Sequence, residues 1–597
     1  MIKKIFASKG KSLRLAIRSM REHLNPQHKK KLAVLSVLIF LSAILDIFGL
    51  ASILPVINAA TSPSIIHTNF ILNFLFTELH FENNRFFLLF LISSLLIFFS
   101  LKSVFGLFVT FVQAKLSSEI AVFLSKNEFS KYFSIHYFDF QKLHSSEVSK
   151  DIVYNPNSYV QWIVLTLITF ISEVVMVALI IGAIAIFNIK LFIFIIITVG
   201  PATYLISTFI RRRSGEIGVG IDISYPKAYG AVNEALNGYI DIKLADKEKF
   251  YRDKYLTHQH RYQWLMMKQF FMNQVPFRTN EVIALLGIMV IFVYALFISN
   301  KDNELITLIG LFAAASYRLM PSVNRIINSI NYLNINQVSI HNLNYFVGHY
   351  LKEQKIDARQ VPVAFNHHLK FNQVSFSFPD SLKPVLNKIS FEINKGEKVG
   401  FVGSSGSGKT TLMNILLRFY IENGGEILCD NVKLVRENLT DWRKKIGYVK
   451  QDIFLLDGTI KNNIAFGEDT IDEERLKTVI RQASLYEFVS SLPEGADTYI
   501  GEKGSRLSGG QKQRIGIARS LYRNADILIF DEATSALDNE TEKEVTESID
   551  MLSGANKTIL IIAHRITTLR NCDRIYQLKD GEIGGVYTYQ ELIEKVN

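Results

Sequence analysis

The sequence predicts a membrane α-helical domain of six transmembrane helices followed by an α/β P-loop nucleotide-binding domain. Three observations predict it. Six mostly apolar stretches, each close to or above the length of about 20 residues that a bilayer-crossing helix needs, fall between positions 32 and 333. The segment Gly403-Ser-Ser-Gly-Ser-Gly-Lys-Thr410 follows an apolar strand, Lys398-Val-Gly-Phe-Val402, and precedes a helical run from Thr411 to Phe419. A third apolar run, Ile527-Leu-Ile-Phe-Asp531, ends in the paired carboxylates Asp531 and Glu532.

The six spans read, in order, Leu32 to Ile57, Phe86 to Phe111, Val160 to Phe187, Leu191 to Ile210, Val282 to Ser299 and Leu305 to about Leu333. A tight Asn188-Ile-Lys190 turn separates the third from the fourth. Composition agrees: 49% of residues are apolar and the mean hydropathy is +0.18, with the apolar residues concentrated in the first half. The connections fix orientation. Residues 61 to 84 hold no Lys or Arg, whereas residues 112 to 159 and 211 to 281 are long and basic. Basic connections stay on the cytoplasmic side, so the nucleotide-binding half is cytoplasmic too. The net charge of +11 fits this bias, and no basic patch interleaved with aromatics points to nucleic acid. Cys429 and Cys572 are the only cysteines, which implies reduced thiols and no disulfide framework. The first 31 residues carry ten Lys or Arg and one acid. No small-residue cleavage site follows them, so no signal peptide is evident. Residues 5 to 25 read either as an amphipathic helix on the membrane surface or as a solvated basic tail.

In a G-x-x-x-x-G-K-[ST] loop the backbone amides of Gly403, Ser404, Ser405, Gly406, Ser407 and Gly408 close on phosphate oxygens. Lys409 reaches the β- and γ-phosphates, and Thr410, followed by Thr411 at the helix start, offers a hydroxyl to Mg²⁺. The strand before it and the helix after it are the context this motif requires. Three further pieces follow in order: Gln451, then Leu507-Ser-Gly-Gly-Gln511, then His564 after the strand Thr558-Ile-Leu-Ile-Ile-Ala563. Taken singly each has an ordinary reading. Leu507 to Gln511 suits a plain helix start with Ser508 as its cap. Asp531 and Glu532 suit a solvated acidic pair, and His564 a satisfied neighbour of a buried strand.

Taken together and in this order, residues 369 to 595 resemble the nucleotide-binding domain of an ABC transporter. The resemblance implies a role for each position. Phe378 stands where an aromatic ring, usually Tyr, stacks on adenine. Gln451 is placed near Mg²⁺ and the attacking water. Asp531 holds Mg²⁺, Glu532 is the general base, and Ser535 to Asp538 matches the D-loop. His564 contacts the γ-phosphate. Ser508, Gly509 and Gly510, with Gln511 beside them, bind the ATP held by a second subunit. Catalysis therefore falls to Glu532, His564, Gln451 and Lys409, with ATP as substrate and Mg²⁺ as cofactor. One chain has one ATPase domain and six spans, so the default partner is a second copy of the same chain, a homodimer; a heterodimer with a paralogue is the alternative. The implied layout is a basic cytoplasmic segment (1–31), a six-helix membrane domain of ABC exporter type (32–345), a linker (346–368) and the nucleotide-binding domain (369–597). Parts of the two long cytoplasmic connections, near 136 to 150 and 231 to 246, are expected to be coupling helices docked on the ATPase domains.

Charges inside spans are costly and default to functional candidates. Here they are Asp46, Lys102, Glu173, Arg318 and Arg325, with Arg278 and Glu281 at the cytoplasmic start of the fifth span. Two readings stand: internal pairing, with Glu173 or Asp46 neutralising a cation, or a cationic cavity of Lys102, Arg278, Arg318 and Arg325 for anionic head groups. Arg318 and Arg325 sit two helical turns apart on one face, around Pro321. The phrase Tyr317-Arg-Leu-Met-Pro-Ser-Val-Asn-Arg325 resembles the sixth span of the bacterial lipid-linked oligosaccharide flippases of protein N-glycosylation, which also carry basic residues at the places of Lys102 and Arg278. In the outer loop, Asn69 to Phe81 matches that family's short external helix. Lys at 102 in place of Arg, Asp46 in place of Glu and a longer N-terminus depart from the pattern. The resemblance implies ATP-driven flipping of a polyprenyl-pyrophosphate-linked oligosaccharide or related lipid head group in the inner membrane of a bacterium. The alternatives are a general ABC exporter of drugs, lipids or peptides, and an ATP-gated channel or regulatory ATPase.

Overall fold

The computed structural model describes residues 12–61, 63–187, 189–298, 302–349, 362–379, 381, 383–533, 539–553, 557–563 and 565–596. The chain divides into two compact units: residues 1–135 with 142–352, and residues 136–141 with 353–597.

The first unit is helical. Six long helices carry the six expected spans: Pro26–Thr61, Asn84–Tyr132, Leu165–Phe187, Ile189–Asn237, Glu248–Ile298 and Asp302–Ile335. Three helical stretches meet the length and apolarity of a membrane span among the described residues, namely Pro26–Gly49, Asn84–Tyr132 and Ser145–Ile186. Several helices far exceed the bilayer. At 1.5 Å per residue, about 50 residues make roughly 75 Å of helix against a hydrocarbon core of about 30 Å. Asn84–Tyr132 and Ile189–Asn237 have 49 residues each and Glu248–Ile298 has 51, so each continues well past the membrane. The third span begins earlier than its apolar run suggests, because helix continues from Ser145 through two π-helical turns, Lys150–Tyr154 and Val160–Val164.

Local chemistry sets the boundaries. Asn69 accepts from the amides of Ile71 and Leu72 at 3.1 and 3.2 Å and so starts the outer-loop helix Phe70–Glu78. Asn83 does the same for the amide of Arg85 at 2.8 Å. These are ordinary N-caps, in which a side-chain oxygen satisfies an otherwise orphaned amide. At the N-terminus, Ser12–His23 is an amphipathic helix whose Ala16 and Ser19 are buried. Ser19 Oγ lies 2.9 Å from Tyr159 Oη, and Ala16 joins the apolar cluster of Leu116, Ile120, Tyr159 and Ile163. The apolar face of this basic segment packs on the unit's own helices, which rules out the fully solvated tail for residues 12–23.

The second unit holds two sheets. The larger has six strands in the order β10-β9-β3-β8-β7-β6: β3 (Lys398–Val402), β6 (Ile446–Val449), β7 (Ile527–Asp531), β8 (Thr558–Ile562), β9 (Arg574–Lys579) and β10 (Glu582–Tyr587). All its pairings are parallel except β9 with β10. Its central strands are buried on both faces, as their unbroken Val, Ile, Leu and Phe content requires. The smaller sheet is antiparallel, in the order β2-β1-β4-β5, from β1 (His368–Phe376), β2 (Leu386–Asn394), β4 (Gly424–Cys429) and β5 (Val432–Lys433). Both cysteines are free and buried. Burial pushes the thiols of Cys429 and Cys572 up to about 12, so almost no thiolate exists at neutral pH. We expect both to resist maleimide in the native protein at pH 7.5 and to label together after denaturation, as read by mass spectrometry.

The loop segment His136–Gln141 belongs to this second unit. Its short helix, Tyr137–Phe140, sets the ring of Tyr137 4.9 Å from Phe419 and that of Phe138 5.7 Å from Phe378, while Tyr420 donates its hydroxyl to Gln141 Oε1 at 2.9 Å. The other loop segment expected to couple, around 231 to 246, contains the helix Tyr239–Leu244 and stays with the first unit.

Candidate active site

The site lies at the carboxyl ends of the parallel strands, where open α/β sheets bind ligands. In the order β3-β8-β7-β6, β3 leads into the phosphate loop, β7 ends at Asp531 and β6 runs into Gln451. Parallel neighbours are about 4.8 Å apart, so three sequence-distant segments converge without any one of them being long.

The phosphate loop has the backbone its glycines allow. Gly408 sits at φ +102°, a conformation closed to most side chains. A Cβ on Gly403 would meet the carbonyl oxygen of Leu578 at 2.4 Å. Lys409 starts the helix Lys409–Leu416 and is buried. Its Nζ donates to the carbonyls of Gly403 at 2.7 Å and Ser404 at 3.0 Å. Burial lowers its pKa, while the nearby Glu532 and Asp531 carboxylates act in the opposite direction. Ser407 Oγ is buried with no hydrogen-bond partner. Ser404, Ser405, Gly406 and Thr410 are exposed and Thr411 is buried.

At the tip of β7, burial raises the pKa of Asp531; Glu532 adds to the rise, and a hydrogen bond from Tyr448 works against it. Tyr448 donates its hydroxyl to Asp531 Oδ2 at 2.6 Å. Glu532 takes φ +52°, uncommon for a residue with a Cβ, and its amide donates to the Ile562 carbonyl at 3.0 Å. The polypeptide thus turns sharply at the residue expected to act as base. Gln451 is exposed.

Leu507–Gln511 forms the helix start read from sequence. Ser508 caps Gly509–Tyr522: its Oγ accepts from the Gln511 amide at 3.3 Å, and Gln511 Oε1 accepts from the Ser508 amide at 2.9 Å. This is a capping box. Ser508 and Gly509 are exposed and Gly510 is buried. Phe378 is half-buried and touches Phe376, Tyr420 and Phe138. His564 and Ser535 to Asp538 lie outside the described residues.

Two positioning residues escaped the sequence reading. Gln513 donates to the carbonyls of Gln451 at 2.8 Å and Lys450 at 3.3 Å, tying the helix Gly509–Tyr522 to the segment that carries Gln451. Tyr448 is the other. Neither belongs to a local motif. The one available signal was the hydroxyl of Tyr448 in the otherwise apolar strand Ile446–Val449; Gln513, set between Lys512 and Arg514, carried none.

Three of the four candidate cations of the spans, Lys102, Arg278 and Arg325, are paired. Lys102 forms an ion pair with Asp46. Arg325 donates Nε to Glu173 Oε1 at 2.5 Å, linking Asp302–Ile335 to Leu165–Phe187. Arg278 meets Glu281 at 3.3 Å, one turn along the same helix. The side chain of Arg318 lies outside the described residues. The acids singled out in the spans are therefore the partners of these cations.

A phosphate loop, an acid-tipped strand two places along the same sheet and a serine-capped helix that opens on two glycines define a P-loop ATPase domain, carried here behind a bundle of membrane-length helices. The comparisons with known proteins agree. The family model for the ABC transporter matches residues 386–535, and that for the ABC transporter transmembrane region matches residues 32–320. An ATP-dependent lipid A-core flippase of Saccharophagus degradans is 33% identical over 460 residues, 76% of this chain and 76% of that protein. The protein of that name from Francisella tularensis is 31% identical over 471 residues, 76% and 75% of the two chains. A solved structure of a bacterial Atm1-family ABC exporter with ATP bound superposes with a TM-score of 0.76 at 22% identity, over 95% of this chain and 96% of that one. The chain belongs to the ABC transporter family. It is a multi-pass membrane exporter that binds ATP and couples its hydrolysis to transport.

Proposed function

We propose that two copies of this chain flip an anionic, glycosylated lipid head group across the inner membrane of a bacterium, with a polyprenyl-pyrophosphate-linked oligosaccharide as the substrate. The observation that carries the substrate reading is Arg325. It lies within a predicted span, yet its side chain is 44% exposed while its partner Glu173 is 13% exposed. The guanidinium thus keeps free donor capacity beyond one carboxylate, the property a phosphate ligand needs. The relatives named as lipid A-core flippases support a lipid cargo. Arg318, Lys102 and Arg278 join Arg325 in this reading. Each unpaired hydroxyl taken into hydrocarbon costs about 4–8 kcal/mol. A glycan therefore needs a polar path, while its polyprenyl tail remains in lipid.

The ATPase reading assigns one role to each group. Lys409 Nζ, now on two neutral carbonyls, exchanges them for charged phosphate oxygens, which form stronger hydrogen bonds. The orphaned Ser407 hydroxyl gains an acceptor on the same phosphates, and the Phe378 ring receives adenine. Thr410, Gln451 and Asp531 are an all-oxygen donor set, the kind Mg²⁺ takes, and these three would hold it. Bound there, the ion neutralises charge that develops on the transferred phosphoryl group. Glu532 takes the proton of the attacking water, and His564 contacts the γ-phosphate.

Two features support a second copy. The amides of Gly509 and Gly510 begin a 14-residue helix, and a helix start attracts phosphate; in a dimer these glycines and Ser508 close on the partner's ATP. The helix Tyr239–Leu244 also exposes Tyr239, Ile240 and Leu244 by 60%, 71% and 83%. That apolar patch suits docking on the ATPase domain of the other copy.

Purified protein in proteoliposomes tests the substrate. ATP-dependent translocation of a fluorescent polyprenyl-pyrophosphate oligosaccharide is the expected result. Movement of lipid A-core alone reassigns the cargo. Drug efflux without lipid translocation, or ion current without vectorial transport, overturns the flippase reading.

A further inference from the structure

We propose that Tyr448 is a positioning residue for the divalent-cation carboxylate of the ATPase: its hydroxyl, donated to Asp531 Oδ2, holds that carboxylate in the one rotation that serves the cation. The inference rests on the reading of Asp531 as the carboxylate that serves Mg²⁺.

Sheet geometry makes the contact specific. β6 and β7 are parallel neighbours, and Tyr448 stands opposite Ile529 in the register. Side chains two residues apart on a strand share a face, so Tyr448 and Asp531 lie on the same face of the sheet. The phenol spans that offset and ends 2.6 Å from Oδ2. Its ring is half-buried and packs on the apolar core that holds Phe371, Phe401 and Ile529. The hydroxyl is thus delivered by a side chain with little freedom left.

A carboxylate on the last residue of a strand rotates about two bonds unless something holds it. A phenolic O–H acts as a single donor and fixes one oxygen, leaving the other oxygen for further ligands. Groups that hydrogen-bond a metal ligand in this way orient it, and their loss costs about 10–100-fold in metal affinity. A phenylalanine at 448 would keep the ring packing and remove only the donor. Residue 448 also lies three positions before Gln451, the other side chain assigned to the cation, so the strand that aims Asp531 also leads into Gln451.

The experiment uses full-length protein in nanodiscs with a non-hydrolysable ATP analogue and Mn²⁺ as the probe, read by the loss of free-ion EPR signal. Y448F is expected to raise the Mn²⁺ half-saturation about tenfold. Nucleotide binding in EDTA is expected to match wild type. In the Y448F/D531N double variant the loss should not exceed that of D531N alone. Wild-type Mn²⁺ half-saturation in Y448F overturns the proposal. An equal loss of metal-free nucleotide binding also overturns it, because it would mark a packing role only. If wild type itself binds no Mn²⁺ with nucleotide, the assignment of the cation site fails, and the inference with it.

Discussion

Glu532→Gln protein is expected to bind ATP with near-native affinity and to hydrolyse it about 10²–10⁴-fold more slowly, the range a positioned general base contributes. The change is close to isosteric and removes the charge that accepts the proton of water. It leaves Lys409 and the phosphate-loop amides in place. The backbone at Glu532 is held at φ +52°. Such a conformation costs on the order of 1–3 kcal/mol and persists only where the surroundings impose it. Those surroundings include the amide of Glu532 on the Ile562 carbonyl, a contact that Gln retains. The variant should therefore fold, load nucleotide and accumulate as an ATP-bound dimer. Single-turnover hydrolysis and size-exclusion chromatography with ATP check both points. Wild-type turnover by this variant removes Glu532 from the role of base.

Arg325→Gln is expected to abolish lipid translocation while ATP hydrolysis without substrate continues. The pair with Glu173 complicates the single change. Glu173 Oε1 loses its donor, and Oε2 is already buried without a partner. A buried acid left this way costs on the order of 1–3 kcal/mol, so the thermal midpoint should fall. The double variant Glu173→Gln/Arg325→Gln removes both charges and should recover much of that stability. If Arg325 serves the substrate, translocation stays lost in the double variant. If the arginine only neutralises Glu173, translocation returns together with stability. Thermal unfolding and translocation measured on the same preparations separate the two. Arg318→Gln is expected to act on translocation alone.

Much of this protein was legible in sequence because its signals are local. A phosphate loop needs its glycines and lysine within eight residues, and a span needs about 20 apolar residues in a row. A capped helix start needs Ser508 and Gln511 three apart. Each of these was found where the sequence put it, as was the outer-loop helix begun by Asn69. The ends of elements were less legible. The helix before the third span starts at Ser145, because its cytoplasmic extension is polar and its π turns break the 3.6-residue period.

The partners of Lys102 and Arg325 were decided only by the tertiary structure. The sequence left Lys102, Arg278 and Arg325 between pairing and ligand roles; long-range packing supplied Asp46 and Glu173, whereas Glu281 lies one turn from Arg278 on its own helix. Tyr448 and Asp531 lie 83 positions apart, and Gln513 and Gln451 lie 62 apart. Such contacts depend on strand order, on register and on which helix crosses which strand. Those are properties of long-range packing, and a single chain read by periodicity and spacing does not carry them. Residue chemistry determined what this chain can do with ATP and where it enters lipid; the three-dimensional arrangement decided which side chains hold the acting ones in place.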